Sequence, residues 1–267
     1  MKEKGENQKV RYTLGSLKPQ DAEVVFKSLE EPNWAPWLAA SSETIERRAE
    51  VFSEGQLVII GLDGTPLASL SMNRISWDGN PKMLPSWDEV AGEPTTYENT
   101  YQPDGNTLVM MSMNVNPKFQ GEGYARILIE QAKLVAEKLG IHYLLGSFRP
   151  NEYGKHKLSH LNNHLSFEEY CNTRRADDWP VDGWLRNLSR NGMQPLAVDH
   201  KAMVVQVSLA EFNNLKVSYN KDSWIEVNPG EWECGEVGCW TIDEHKSIAT
   251  YQESNLWGVV WTKTGLQ

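Results

Sequence analysis

The sequence has little cysteine, few basic residues and no long apolar run. Three cysteines among 267 residues build no disulfide framework, and their spacing is not that of a metal site. No segment approaches the roughly 20 apolar residues of a membrane-spanning helix. The polar start Met1–Glu6 also lacks the apolar core of a signal peptide. A cytoplasmic location without a membrane partner is therefore expected.

Positive charge is in deficit, because 26 Lys and Arg stand against 36 Asp and Glu, a formal net charge of -10. Duplex binding depends on basic side chains that neutralise phosphates, so nucleic acid is not expected as the main partner. The negative charge could attract a cationic amine substrate, or serve only solubility. A length of 267 residues fits one large domain, or one domain with a smaller addition.

What the chain does have is a glycine-rich turn with the sequence Gln-Gly-Glu-Gly-Tyr-Ala over Gln120–Ala125. The turn follows a near-continuous apolar run, Leu108–Val115, which is typical of a strand buried on both faces. After it, apolar residues recur at helical spacing until Gly140, and a second buried strand follows over Ile141–Gly146. Such a turn leaves backbone N–H groups unbonded at the positive end of a helix dipole. It therefore predicts a site for a phosphate group.

Two common phosphate-binding motifs do not fit this turn. The dinucleotide fingerprint G-x-G-x-x-G requires a glycine where the chain has Arg126. A P-loop requires Gly-Lys-Ser/Thr after the turn, and the chain has none there. The phosphate group predicted here therefore belongs to another kind of ligand.

The pattern Gln120-x-x-Gly123-x-Ala125 resembles the Q/R-x-x-G-x-G/A motif of the GNAT superfamily of N-acetyltransferases, and the preceding run Val115–Pro117 is similar to the same core. The resemblance implies an acetyl-CoA cosubstrate whose pyrophosphate lies on the turn amides and whose pantetheine arm follows a bulged strand. It also implies that an amine attacks the bound thioester directly, in a ternary complex. The residues expected to contact the cosubstrate are Met113, Val115, Gln120, Gly121, Gly123, Tyr124, Ala125 and Arg126.

The local patterns and the resemblance together predict an α/β (α+β) fold with a mixed, mostly antiparallel central sheet flanked by helices. We expect a domain over residues 1–212, with an insertion at about 148–182, and a Trp-rich, β-rich extension over 213–267. The extension would cover the acceptor side or mediate contacts in a homodimer. A long loop between Ser76 and Asn106 would form a wall of the acceptor site, or only pack on the surface.

The simplest members of the family carry a tyrosine that protonates the leaving thiolate, four residues before a Gly-Phe-like pair. The matching pair here is Gly192-Met193, and the position four residues earlier holds Leu188. The usual acid is therefore missing, and the inserted segment must supply any acid or base.

Candidate catalytic residues lie at the start of this insertion and on the strand before the turn. Tyr153 is the candidate acid, with a packing role as the alternative, and Glu152 and His156 are candidate bases. Asn114, with Ser112, could hydrogen-bond the substrate or a water molecule. The N–H of Val115 is the oxyanion donor that the resemblance implies.

The predicted function is N-acetyl transfer from acetyl-CoA to an amine of a small-molecule acceptor. Three histidines at four-residue spacing, His156, His160 and His164, could share a helix face, but nothing completes a ligand set, so no metal is expected. Two alternatives remain open. One is transfer of a longer acyl chain, and the other is a non-catalytic acyl-CoA-binding or regulatory protein, as the residue Leu188 would allow.

Overall fold

The computed structural model describes residues 11–92, 96–161, 163–219 and 223–263, so the predicted polar start Met1–Glu6 lies outside the described residues. The strands are β1 (Tyr12–Ser16), β2 (Gln56–Gly61), β3 (Pro66–Ile75), β4 (Thr107–Val115), β5 (Tyr143–Phe148), β6 (Gln194–Ser208), β7 (Ile225–Asn228), β8 (Glu231–Glu233), β9 (Cys239–Asp243) and β10 (Ile248–Thr262). The helices are α1 (Ala22–Val25), extended by a π-helical turn (Phe26–Glu30), α2 (Ser42–Val51), α3 (Trp87–Ala91), α4 (Tyr97–Thr100), α5 (Tyr124–Lys138), α6 (Tyr153–Ser159), α7 (Phe167–Asn172), α8 (Gly183–Arg190) and α9 (Leu209–Ser218).

The strands form one sheet in the order β1-β2-β3-β4-β5-β10-β9-β8-β7, and β6 pairs with the other edge of β10. Every pairing is antiparallel except that of β4 with β5, which is parallel. Helix α5 connects these two parallel strands and buries its apolar face, including Leu128, Ile129 and Ala132, on the main core. The predicted mixed, mostly antiparallel sheet flanked by helices is confirmed.

Strands β4 and β5 pair only over their first halves. Their register runs from Thr107 opposite Tyr143 to Met110 opposite Gly146, while β4 continues to Val115 with only β3 beside it. β5 keeps β10 as its partner on the other edge along its whole length, so it is β4 and β5 that part in the middle of the sheet. Among the described residues, the second half of β4 therefore has one edge without a strand partner.

A bulge lies in β4 at the point where the strands part. Ser71 of β3 pairs with Ser112 and the next residue, Met72, pairs with Met110, so Met111 is the extra residue. The indole Nε1 of Trp87 donates to the Met111 carbonyl at 2.9 Å. The strand therefore carries the bulge that the resemblance implies, and α3 of the long loop is attached to it.

The C-terminal segment contributes to the main sheet. β10 lies between β5 and β6 in the sheet. The stretch of chain between β6 and β10 forms α9 and then β7, β8 and β9, and these three strands extend the sheet at one end. Many of the tryptophans pack here, and Trp240 is fully buried between Phe212 and Tyr251. The boundary predicted at residue 212 thus falls within α9, before a strand that belongs to the central sheet.

The predicted insertion forms α6 and α7 and packs on the loop after β8. Gly154 of α6 lies so close to that loop that an added Cβ would be 1.9 Å from the Gly235 carbonyl oxygen. Lys157, buried in the same interface, donates to Glu233 at 2.5 Å and to the Gly238 carbonyl at 3.0 Å. The insertion is therefore fixed against the C-terminal part of the sheet.

Candidate active site

A large cleft begins where β4 and β5 part, with a volume of about 1460 Å³. One end is the glycine turn before α5, and the middle is β4 from Met110 to Val115, which has a free edge beyond Met110. The other end, which we call the inner end, is lined by charged and aromatic side chains, namely Glu30, Trp34, Trp37, Arg149, Glu236 and Glu253. The cleft therefore joins a potential anion site to a polar chamber along one strand edge.

The glycine turn is built for close approach of a ligand to the backbone. Gly121 and Gly123 have φ angles of 83° and 90°, a conformation that residues with a Cβ rarely adopt. An added Cβ at either position would meet nothing within 4 Å, so both glycines face open space. Gly123 is the N-cap of α5 and provides no side-chain acceptor, so the first-turn N–H groups remain available to an anion.

The free edge of β4 presents backbone groups to the middle of the cleft. The N–H of Asn116 donates to the Leu67 carbonyl on β3 at 2.9 Å. Because successive residues in a strand alternate between the two edges, the N–H groups of Val115 and Met113 point to the opposite edge. Asn33 holds this end of the strand, since its Nδ2 donates to the Val115 carbonyl at 3.1 Å.

Asn114 and Glu30 form a buried polar pair on the wall of the inner end. Asn114 Nδ2 donates to Glu30 Oε2 at 2.5 Å, and the Trp34 indole donates to Asn114 Oδ1 at 2.7 Å. The backbone N–H of Ala40 donates to Glu30 Oε1 at 3.0 Å. Burial raises the pKa of the Glu30 carboxyl above its usual value, against the opposing effects of the Ala40 N–H, the Arg48 guanidinium and Asn114.

A second group of charged side chains lies at the inner end. Arg149 Nε donates to Glu253 Oε2 at 3.0 Å, and its guanidinium also pairs with Glu236. Tyr219 donates to Glu236 at 2.5 Å and Tyr251 donates to Glu253 at 2.6 Å. Two carboxylates thus share one guanidinium, so this corner carries a net negative charge whose position is fixed by two phenols.

A comparison of the sequence with known protein families identifies the family of this chain. Residues 23–156, half of the chain, match the acetyltransferase (GNAT) family. The chain belongs to the GNAT family. This match confirms the predicted resemblance, and the family chemistry, acyl transfer from a coenzyme A thioester, supports an acyl-CoA cosubstrate. The open space at Gly121 and Gly123 is compatible with such a ligand, because phosphate oxygens can reach the turn amides there.

Two solved GNAT-type structures show the same fold. The loading GNATL domain of CurA from Lyngbya majuscula is 19% identical with a TM-score of 0.58, covering 70% of this chain and 87% of that one. GphF, a GNAT-like decarboxylase in complex with isobutyryl-CoA, is 17% identical with a TM-score of 0.58, covering 90% of this chain and 98% of that one. At these identities the similarity establishes a common fold. No curated protein matches the chain by sequence.

Most of the residues predicted to contact the cosubstrate line the GNAT cleft. They are Met113, Val115, Gln120, Gly121, Gly123, Tyr124 and Ala125. Arg126 is exposed and lies outside this lining. Asn114, predicted on the catalytic side, lines the inner end and is 3% exposed. Apart from Arg126, the structure places these residues along one cleft, and their roles stay predictions.

The other predicted catalytic side chains lie outside the cleft lining, although their neighbours Asn151, Gly154 and Lys155 belong to it. Tyr153 is buried and its hydroxyl donates to the Leu165 carbonyl at 3.1 Å. Burial, with Glu233 as a further cause, raises the pKa of Tyr153 to about 12.

The two candidate bases are also engaged elsewhere or exposed. His156 Nε2 accepts from the Leu165 N–H at 3.2 Å, and burial lowers the pKa of His156. Glu152 is exposed at the start of α6. The structure therefore does not bring Tyr153, Glu152 and His156 together at the cleft, and their catalytic roles stay predictions.

Leu188, predicted from the sequence to stand at the position of the usual tyrosine, is fully buried on α8. Within the described residues, no three His, Cys, Asp or Glu side chains come together as potential metal ligands. Nor is any helix in that part of the chain long and apolar enough to span a membrane.

Sequence reasoning missed Glu30, Arg149, Glu236 and Glu253 as site residues. Glu30 stands beside Glu31 after the apolar face of the first helix, and only the fold shows which of the two is buried. Glu236 and Glu253 reach Arg149 across more than 80 residues of sequence. The one available signal was the position of Arg149 directly after a buried strand, where ligands bind in open sheets.

Proposed function

We propose that this protein is an N-acetyltransferase, which transfers the acetyl group of acetyl-CoA to the amine of a small molecule in a ternary complex. The observation that carries the proposal is one continuous cleft, which runs from the glycine turn along the free edge of β4 to the charged inner end. Both substrates can therefore lie in one space, and no covalent acyl-enzyme is required.

The cosubstrate would bind along this cleft through backbone groups. The pyrophosphate would accept hydrogen bonds from the amides of Gly121, Gly123, Tyr124 and Ala125, at the positive end of α5. The pantetheine arm would follow the unpaired edge of β4 beside Met113. The thioester carbonyl would then accept from the N–H of Val115, which would stabilise the oxyanion of the tetrahedral intermediate.

The inner end suits an amine acceptor. Four carboxylates and three cations line the cleft in the described part of the chain, namely Glu30, Asp88, Glu236 and Glu253 against Arg48, Arg149 and Lys155. Excess negative charge attracts a protonated amine from solution. The indole rings of Trp34 and Trp37 add apolar and cation–π contacts. Trp87 and Asp88 of the long loop form another wall, which favours a small molecule over an extended peptide.

Turnover measured by mass spectrometry tests the proposal. The protein is incubated with acetyl-CoA and a panel of diamines, amino acids, aminoglycosides and peptides, and free CoA and acetylated product are quantified. We expect equal amounts of both with at least one small amine, and loss of both in Gly123→Glu. CoA binding without turnover across the panel would favour the binding-only alternative. Faster release from longer acyl-CoAs would favour transfer of a longer chain.

Decarboxylation of a carboxyacyl-CoA is the second candidate, because it keeps the C–S bond. Leu188, predicted at the position of the thiolate acid, is buried and cannot donate a proton, and a reaction without a leaving thiolate needs no such acid. The Val115 N–H would stabilise the enolate oxygen, and Glu30, whose pKa burial raises, could protonate the enolate carbon after CO2 departs. Malonyl-CoA converted to acetyl-CoA without free thiol would establish this reaction, whereas unchanged malonyl-CoA would exclude it for that substrate.

A further inference from the structure

Glu30 is a buried carboxyl group placed beside the reacting end of the cleft. It lies at the end of the π-helical turn after α1, is 4% exposed and lines the cleft. The next residue, Glu31, is exposed. Burying a carboxylate costs free energy unless hydrogen bonds and charges compensate it, so the difference between these adjacent residues calls for a functional explanation.

Asn114 holds this carboxyl in one orientation. Its Oδ1 accepts from the Trp34 indole, which can only donate, so the Asn114 amide must turn its NH2 group toward Glu30. The Ala40 N–H fixes the other oxygen of Glu30. Both oxygens are therefore positioned by donors that stay in place when the proton leaves or arrives.

The position of Asn114 in β4 connects Glu30 to the thioester. Asn114 directly precedes Val115, whose N–H lies on the free edge of the strand, and adjacent Cα atoms are about 3.8 Å apart. Asn114 Nδ2 lies 2.5 Å from Glu30 Oε2. Through Asn114, the Glu30 carboxyl group is thus connected to the residue next to Val115, and all three residues line the same cleft.

We propose that Glu30 is the catalytic base that accepts the proton of the attacking amine, and this role rests on the proposed acetyl transfer. The neutral amine nitrogen forms the C–N bond while the carbonyl π electrons move to oxygen, next to the Val115 N–H. The nitrogen of the tetrahedral intermediate gives its proton to Glu30. Collapse then breaks the C–S bond, and the thiolate leaves and receives this proton through water, so that amide and CoA thiol are the products.

Burial and the neighbouring side chains together determine the pH range over which Glu30 can act as a base. Helix α2 contributes Arg48, β4 contributes the neutral Asn114, and the segment before α2 contributes the Ala40 N–H and Trp34. Burial outweighs these groups and raises the pKa of Glu30. A base must be ionised to act, so the part of the activity that depends on Glu30 should rise with pH through its raised pKa, and deprotonation of the amine adds a separate rise at higher pH.

Glu30→Gln and Glu31→Gln form a matched test. We expect Glu30→Gln to lower kcat with the best amine by about 10²- to 10⁴-fold, and to abolish the rise of kcat between acidic and neutral pH. The KM for acetyl-CoA should stay within about twofold, because the glycine turn is untouched. Glu31→Gln should keep the wild-type kcat and pH profile. A thermal melt of each variant controls for folding.

The role of Glu30 and the proposed acetyl transfer can fail separately, and different outcomes would show which of them fails. A Glu30→Gln variant that folds, turns over at the wild-type rate and keeps the acidic limb would overturn the role of Glu30 while leaving acetyl transfer intact. A wild-type protein that binds acetyl-CoA but acetylates no amine would overturn the proposed function, and this role with it. A loss that Glu31→Gln shares would also contradict the proposal, because only Glu30 lines the cleft.

Discussion

Comparing Gly123→Ala with Gly140→Ala should separate an effect on ligand binding from an effect of backbone strain, because the two glycines flank the same helix, α5. Gly123 precedes α5 with φ 90°, and Gly140 follows it with φ 67°. An added Cβ at either position would meet nothing within 4 Å. The two substitutions therefore introduce the same side chain into the same kind of conformation, and only one of them lies in the cleft.

Both variants should lose similar stability. Placing an L-residue in the left-handed region costs about 1–2 kcal/mol, which lowers Tm by about 2–4 °C per kcal/mol in a chain of this size class. Without ligand, the thermal melts of Gly123→Ala and Gly140→Ala should therefore shift together.

Ligand should separate the two variants. CoA at about a hundred times its Kd adds about 2.7 kcal/mol to stability. The methyl group of Gly123→Ala would occupy the space that a phosphate needs, and one lost charge-assisted hydrogen bond is worth about 1.5–3 kcal/mol. We expect at least a tenfold weaker Kd for Gly123→Ala by calorimetry, and an unchanged Kd for Gly140→Ala. Equal Kd values in both variants and wild type would refute the assignment of the turn.

Other predictions concern the parts that support the cleft. Asn33→Ala removes donors to the Leu29 and Val115 carbonyls at 2.6 and 3.1 Å, so the free energy of unfolding should fall by about 1–3 kcal/mol in a denaturant titration. Lys157→Met leaves Glu233 buried without its partner and should cost about 3–5 kcal/mol by the same titration. Lys155→Met, on the exposed side of α6, should change stability by less than about 0.5 kcal/mol. Trp240→Ala should cost about 3–5 kcal/mol, and folded protein should still bind CoA in calorimetry, since Trp240 lies outside the cleft lining.

The binding half of the cleft could be predicted because its signals are local. The turn Gln120–Ala125, the apolar run before it and the periodic helix after it lie within about 30 residues, and each pattern has a direct structural cause. The contacts proposed there come from backbone groups, so the positions of the glycines are enough to predict them. A bulge in the strand before the turn followed from the family resemblance, whereas its position at Met111 and the parting of β4 and β5 came only from the structure.

The inner end could not be predicted in the same way, because its parts come from distant segments. Arg149 meets Glu253 and Glu236 only after β10 enters the sheet beside β5, and no local pattern specifies such a pairing. For Tyr153, a local signal pointed to the cleft but the fold places the side chain elsewhere. Its position after β5 suggested the cleft, whereas its ring packs against Phe167 and Tyr170 within the insertion.

A crystal structure with bound acetyl-CoA tests the central claim most directly. The account predicts pyrophosphate oxygens within about 3.2 Å of the turn amides between Gly121 and Ala125, and the thioester carbonyl at a similar distance from the Val115 nitrogen. It also predicts that the acetyl group faces the chamber lined by Glu30 and Asn114. Acetyl-CoA bound elsewhere, or with its acyl group directed away from that chamber, would contradict the account.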